Sequence, residues 1–145
     1  MSEYKPQQQI ALVSVGIQDM ARSRRFYDEG FGWKPVFELP DIAFYQMNGL
    51  MLGMALLPAF DADIGQTMSP NGGAYAFAHN VPQKEDVVPL MERLVAHGGK
   101  IIRPADAPAH GGFRGYIADP DQHLWEIAFN PTWAISPEGH VTFGL

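Results

Sequence analysis

Residues 111–126 run Gly111-Gly112-Phe113-Arg114-Gly115-Tyr116-Ile117-Ala118-Asp119-Pro120-Asp121-Gln122-His123-Leu124-Trp125-Glu126. Two apolar segments flank Asp119-Pro120-Asp121. That tripeptide turns a chain because Asp side chains bond nearby backbone amides and Pro fixes φ. The spacing predicts a strand over 112–118, a turn at 119–121 and a second strand over 123–129. By alternation Trp125 shares a face with Ile127 while Glu126 points the opposite way.

Working upstream, residues 100–103 read as a third strand, and residues 86–97 as a helix with Val87, Met91, Leu94 and Val95 spaced i, i+4, i+7, i+8. Pro89 fits only within that helix's first turn. Gly98-Gly99 supplies the stop. Residues 74–81 form one more strand, so the second half runs strand, helix, three strands.

The first half repeats this order. Residues 10–17 are apolar and β-branched apart from Ser14 and Gly16, as a strand requires. Asp19 caps a short helix ending at Phe26-Tyr27, and Gly30 and Gly32 terminate it. Strands follow over 33–39, 42–47 and 50–57, separated by Pro40-Asp41 and by Asn48-Gly49, a strong hairpin signal. Residues 58–73, rich in Asp, Pro and Gly, lack convincing periodicity and suit a connecting segment with some local order. Repetition at an offset of about half the chain marks an internal duplication of pattern rather than identity. The expectation is one domain of two modules, about 10–57 and 74–131, with the connector 58–73 and a tail 132–145.

Composition narrows the chemistry. The 145 residues carry a formal charge of −6 and include no cysteine, so thiol nucleophiles, thiolate metal sites and disulfides are excluded. An acidic chain whose basic residues scatter beyond Arg22, Arg24 and Arg25 does not suit a nucleic-acid partner. Its apolar runs fall short of a membrane span, and residues 1–9 lack the apolar stretch of a secretion signal, so the default expectation is a cytoplasmic protein without membrane contact.

Two segments, residues 15–27 (Val15-Gly16-Ile17-Gln18-Asp19-Met20-Ala21-Arg22-Ser23-Arg24-Arg25-Phe26-Tyr27) and residues 111–126, resemble motifs of the vicinal oxygen chelate superfamily of glyoxalases, bleomycin-resistance proteins and extradiol dioxygenases. The resemblance covers about residues 10–131. It implies an α+β fold in which two βαβββ modules form a curved mixed sheet around a shared cleft, with helices on the outer face. It also implies a homodimer, since paired modules in this family often associate across subunits. One departure is Gln122, where the family usually has glycine after Asp-Pro-Asp.

Metal-using members place His, Gln or Glu ligands on four strands inside the cleft, holding a divalent ion open to substrate oxygens. By alignment to these motifs the first position falls at Leu12 and the third at or near Ala76, neither with a donor side chain. The last strand of the first module, residues 50–57, has no acidic residue, His or Gln. Only Glu126 matches a ligand position. One carboxylate cannot hold a catalytic ion tightly, because affinity comes from several donors in fixed geometry. No cofactor is therefore expected, and a divalent metal is disfavoured. The expected activity is binding of a small, partly apolar organic molecule, as in bleomycin-resistance proteins. The alternative is a metal-dependent lyase or dioxygenase with a substituted ligand set.

Leu12, Ser14, Phe44, Met54, Ala76, Asn80, His110, Phe113, Arg114 and Tyr116 are the expected cleft residues, with Glu126 as the candidate general base. A carboxylate beside apolar residues needs a partner, so Arg114, His110 or a ligand cation is expected near Glu126. Of the other histidines, His97 suits a helix C-terminus, His79 a packed position under the helix and His123 a surface turn, while His140 in the tail is uninformative.

Overall fold

A computed structural model describes residues 4–70 and 72–145. In the first module β1 (Leu12–Ile17) leads to α1 (Met20–Arg24), whose N-cap Asp19 accepts a hydrogen bond from the Arg22 amide at 2.9 Å. Over Arg25–Gly30 the helix widens to i→i+5 bonding, as in Phe31 N to Phe26 O at 3.1 Å. Then come β2 (Phe37–Leu39), β3 (Ile42–Gln46) and β4 (Met51–Leu56), in the sheet order β1-β4-β3-β2 with β1 parallel to β4. The expected strand over 33–39 is regular only at its end, because Phe31 and Trp33 instead stack on each other, ring centroids 4.1 Å apart, and pack against the core.

The connector holds a helix, α2 (Leu57–Ile64), that its composition does not announce. Pro58 sits in its first turn, where a missing N–H costs nothing, and Gly65 at φ 87° ends it. None of its residues is fully buried, which explains the absence of an apolar stripe.

The second module repeats the plan with β5 (Phe77–Asn80), α3 (Val87–Ala96), β6 (Lys100–Asp106), β7 (Phe113–Ala118) and β8 (Leu124–Phe129), ordered β5-β8-β7-β6 with β5 parallel to β8. Pro89 lies in the first turn of α3, and Val87, Met91 and Leu94 are buried as their spacing requires. Gly115 on β7 lets α3 lie close: a Cβ there would stand 2.4 Å from Met91 Cε. The tail adds a small hairpin, β9 (Ala134–Ile135) with β10 (Val141–Thr142).

One core joins the modules through their helix-side faces. Phe26 and Tyr27 from the first half are buried with Leu94, Ile117, Trp125 and Ile127 from the second. Across this junction runs a buried polar clasp built on the Asp-Pro-Asp turn. Tyr27 Oη donates to Asp119 Oδ2 at 2.6 Å, while Asp119 Oδ1 accepts the amides of Asp121 and His123 at 2.9 and 2.8 Å. Asp121 in turn accepts from Ser23 Oγ, the Gln18 amide and Arg22 Nη2. Burial pushes the Tyr27 phenol up, reinforced by the Asp119 charge, and pushes the Asp119 carboxyl up against the opposing pull of His123 and its hydrogen bonds. Gln122 closes the turn at φ 72°, the left-handed region where glycine is the easier residue.

The histidine of this turn is not at the surface. His123 is 5% exposed: its Nε2 lies 2.8 Å from Gly16 O, an acceptor, so that nitrogen carries a proton, and Nδ1 is 2.9 Å from Tyr75 Oη. A partner 107 residues away in sequence is what turns an apparent surface histidine into an intermodule bridge. No helix among the described residues is long and apolar enough to cross a membrane.

Candidate ligand cleft

Each sheet has a second face, turned away from α1 and α3. On the first sheet the register aligns Ser14, Gly53, Phe44 and Phe37 in one row, with Leu12, Met51 and Gln46 beside it. Gly53 is bare for a reason, since a Cβ there would come within 3.0–3.1 Å of Phe44 and Leu12, which close over it. A cavity of about 350 Å³ borders Leu12, Ser14, Ile42, Phe44, Ala55 and Phe60, with Asp41 and Asp63 also on its wall. Helix α2 thus forms one side of a largely apolar pocket. No residue of the second sheet borders it.

The second sheet presents the opposite chemistry. Ala78, Glu126 and Tyr116 align across β5, β8 and β7, and Asn80, Ala128 and Arg114 form the next row. Tyr116 Oη donates to Glu126 Oε2 at 2.6 Å, a charge-assisted bond that pushes the phenol up. Arg114 pairs with Asp106, which also takes Arg103 at 3.0 Å. Asn130 Nδ2 donates to Asn80 Oδ1 at 3.2 Å.

The expected cleft residues are therefore divided between two surfaces. Leu12, Ser14 and Phe44 lie on the first sheet; Asn80, Arg114, Tyr116 and Glu126 lie together on the second. Met54 and Phe113 belong to the helix side instead. Met54 stands in register with Val15 and Ala43, and although it touches the first cavity its 1% exposure offers a ligand almost no surface. Phe113 alternates with the buried Gly115 and Ile117, packs against the core and carries the Lys84 ammonium 5.0 Å from its ring centre. Ala76 precedes β5, and it is Ala78 that stands across from Glu126. His110 is exposed in the loop before β7 and makes no hydrogen bond among the described residues.

The hydrogen-bond partner of Glu126 is Tyr116; Arg114, expected nearby, stands in the next row of the same face but pairs with Asp106, and the exposed His110 makes no such bond. The pairing of Tyr116 with Glu126 is legible in the hairpin, because counting outward from the turn through Ala118 and Leu124 brings residues 116 and 126 opposite each other. Asp106, which engages Arg114, has no comparable signal, since it lies on a strand that slips register twice.

Leu12 and Ala76 or Ala78 carry no donor, β4 has none, and among the described residues no three His, Cys, Asp or Glu side chains converge.

The model of the Glyoxalase/Bleomycin resistance protein/Dioxygenase superfamily matches residues 9–127. A glyoxalase-related enzyme from Fulvimarina pelagi is 55% identical, with a TM-score of 0.94 over 96% of this chain and 100% of that one. A lactoylglutathione lyase from Agrobacterium tumefaciens is 20% identical with a TM-score of 0.68, covering 89% and 98% of the two chains. A glyoxalase/bleomycin resistance protein/dioxygenase family enzyme from Burkholderia phytofirmans PsJN is 18% identical with a TM-score of 0.71, covering 82% and 96%. At such identities the last two show the fold alone. With its duplicated βαβββ plan and a match spanning most of its length, this chain belongs to the glyoxalase/bleomycin resistance protein/dioxygenase superfamily.

Proposed function

We propose that this protein binds a small, partly apolar organic molecule without a metal, in a cleft that a second copy of the chain completes. The observation that carries this reading is the chemistry of the two inward faces. One offers Leu12, Phe44 and Ile42 to a hydrophobic group, and the other offers Glu126, Tyr116, Arg114 and Asn80 to polar ones. A ligand site wants both, apolar area for affinity and a few fixed polar groups for orientation. Within one chain the faces do not border a common cavity, and the first exposes Leu12 by 42% and Phe37 by 48%. A two-fold dimer would set one copy's apolar face against the other's polar face and remove that surface from water. The cytoplasm is the default location.

In this reading Glu126 is a fixed hydrogen-bond acceptor, held by Tyr116, rather than a metal ligand. Light scattering of the intact protein tests the assembly, and thermal-shift screening against a metabolite library, with and without chelator, tests the binding. A dimer stabilised by the same compounds in both conditions is expected. Stabilisation abolished by chelator would contradict the metal-free reading. Lack of any hit in a folded dimer would contradict ligand binding itself.

A second reading is a metal-dependent lyase or dioxygenase with a substituted ligand set, favoured by the 55% identity to a glyoxalase-related enzyme from Fulvimarina pelagi. It requires turnover lost on chelation and restored by a divalent ion.

A further inference from the structure

On the face of the second sheet opposite Glu126, His79 stands in register with Ile127. Its ring meets Phe31 and Trp33 edge-on, centroids 5.7 and 6.1 Å apart. The other sequestered histidine, His123, has both ring nitrogens within hydrogen-bond distance of partners; the half-buried His79 side chain makes no hydrogen bond among the described residues. No fully buried side-chain nitrogen or oxygen among them lacks a partner, so the His79 nitrogens meet open space rather than packed carbon.

That space is a cavity of about 370 Å³. Trp33 and Tyr45 come from the first module, His79 from the second, and Glu138 and Gly139 from the tail, which Asn48 Nδ2 pins by donating to Gly139 O at 2.5 Å. Tyr45 Oη donates to Asp28 Oδ1 at 2.5 Å, so this hydroxyl is already engaged, and at 1% exposure the tyrosine backs the cavity rather than facing a ligand. Burial lowers the His79 pKa, which keeps the imidazole neutral near pH 7, with one lone-pair nitrogen and one N–H.

We propose that this cavity is a second binding site, separate from the cleft, for a small neutral aromatic molecule bearing a hydroxyl or N–H donor, the phenol class. The donor bonds the His79 lone pair and the ring packs against Trp33 and Met47. A hydrocarbon ring leaves the imidazole unpaired. A carboxylate could accept from the imidazole N–H, but it brings a net charge into a half-buried site with Glu138 at the wall and only Lys34 to offset it.

Phenol, toluene and benzoate form a matched set for NMR titration of the intact protein. Phenol is expected to shift the amides of His79, residues 46–48 and Gly139, and to bind about tenfold tighter than toluene, the worth of one good hydrogen bond, with benzoate weakest. His79→Phe, which keeps a ring in place, is expected to bring phenol down to the toluene level. If that variant does not fold, the wild-type series decides alone. Equal binding of phenol and toluene, benzoate binding as well as phenol, shifts centred on Glu126 or on Leu12 instead, or no shift at His79 would each overturn the proposal.

Discussion

The two modules share one plan and differ in what their sheets offer. On the helix side both are alike: Val15 and Ile17 in the first, Trp125 and Ile127 in the second, buried in one core. On the opposite side the first sheet shows Leu12, Ser14, Gly53 and Phe44, and the second shows Glu126, Tyr116, Arg114 and Asn80. The two modules are alike on the face that folds the protein and differ on the face proposed to meet a ligand. Substitutions should accordingly separate into two kinds, those that unfold the chain and those that only alter what it binds.

The largest effect is expected at the clasp between the modules. Asp119→Ala leaves the Tyr27 hydroxyl and two buried amides without an acceptor, a loss of about 3 kcal/mol. In a domain of this size that lowers Tm by roughly 10 °C, measurable by calorimetry. Glu126→Gln, on the divergent face, keeps a group able to accept from Tyr116 and is expected to change stability by less than about 1 kcal/mol. If the two variants were equally destabilised, the division between folding face and binding face would fail.

A pH series sharpens the comparison on the helix side. His79 has a folded-state pKa below its ordinary 6.5 because burial opposes its charge, so the unfolded chain takes up the proton first. Its contribution to stability is complete above pH 6.5 and declines as the pH falls from there through the folded-state value. Urea unfolding from pH 8 to pH 5 should show a steeper acid-side decline for the wild type than for His79→Phe. Parallel curves would remove His79 from the account.

The smallest expected effect lies at the turn. Gln122 is held at φ 72°, where a side chain costs about 1–2 kcal/mol, while glycine restores part of that as unfolded-chain entropy. Gln122→Gly should stabilise by about 0.5–1 kcal/mol, seen as a shift in the urea midpoint with an unchanged slope.

The order of strands and helices was legible because its signals are local. The 3.6-residue spacing of Val87, Met91 and Leu94, the Asp19 cap and the Asn48-Gly49 and Asp119-Pro120-Asp121 turns each act over a few residues. What escaped depends on contacts distant in sequence. Helix α2 buries no residue completely and so leaves no stripe to read. The burial of His123 comes from Gly16, and the division of the expected cleft between two surfaces comes from how the modules dock. Alternation from the hairpin turn already assigned Glu126 and Trp125 to opposite faces. Carried one strand further, it also pairs Glu126 with Tyr116 and places Phe113 with the core.

In the proposed reading Glu126, alone among the four ligand positions in bearing a donor, holds no ion. Titration calorimetry of the dialysed protein with Zn²⁺, Mn²⁺ and Ni²⁺, alongside Glu126→Gln, tests it most directly. Weak heats indistinguishable between the two proteins are predicted. One tightly bound equivalent in the wild type, lost in Glu126→Gln, would contradict the account.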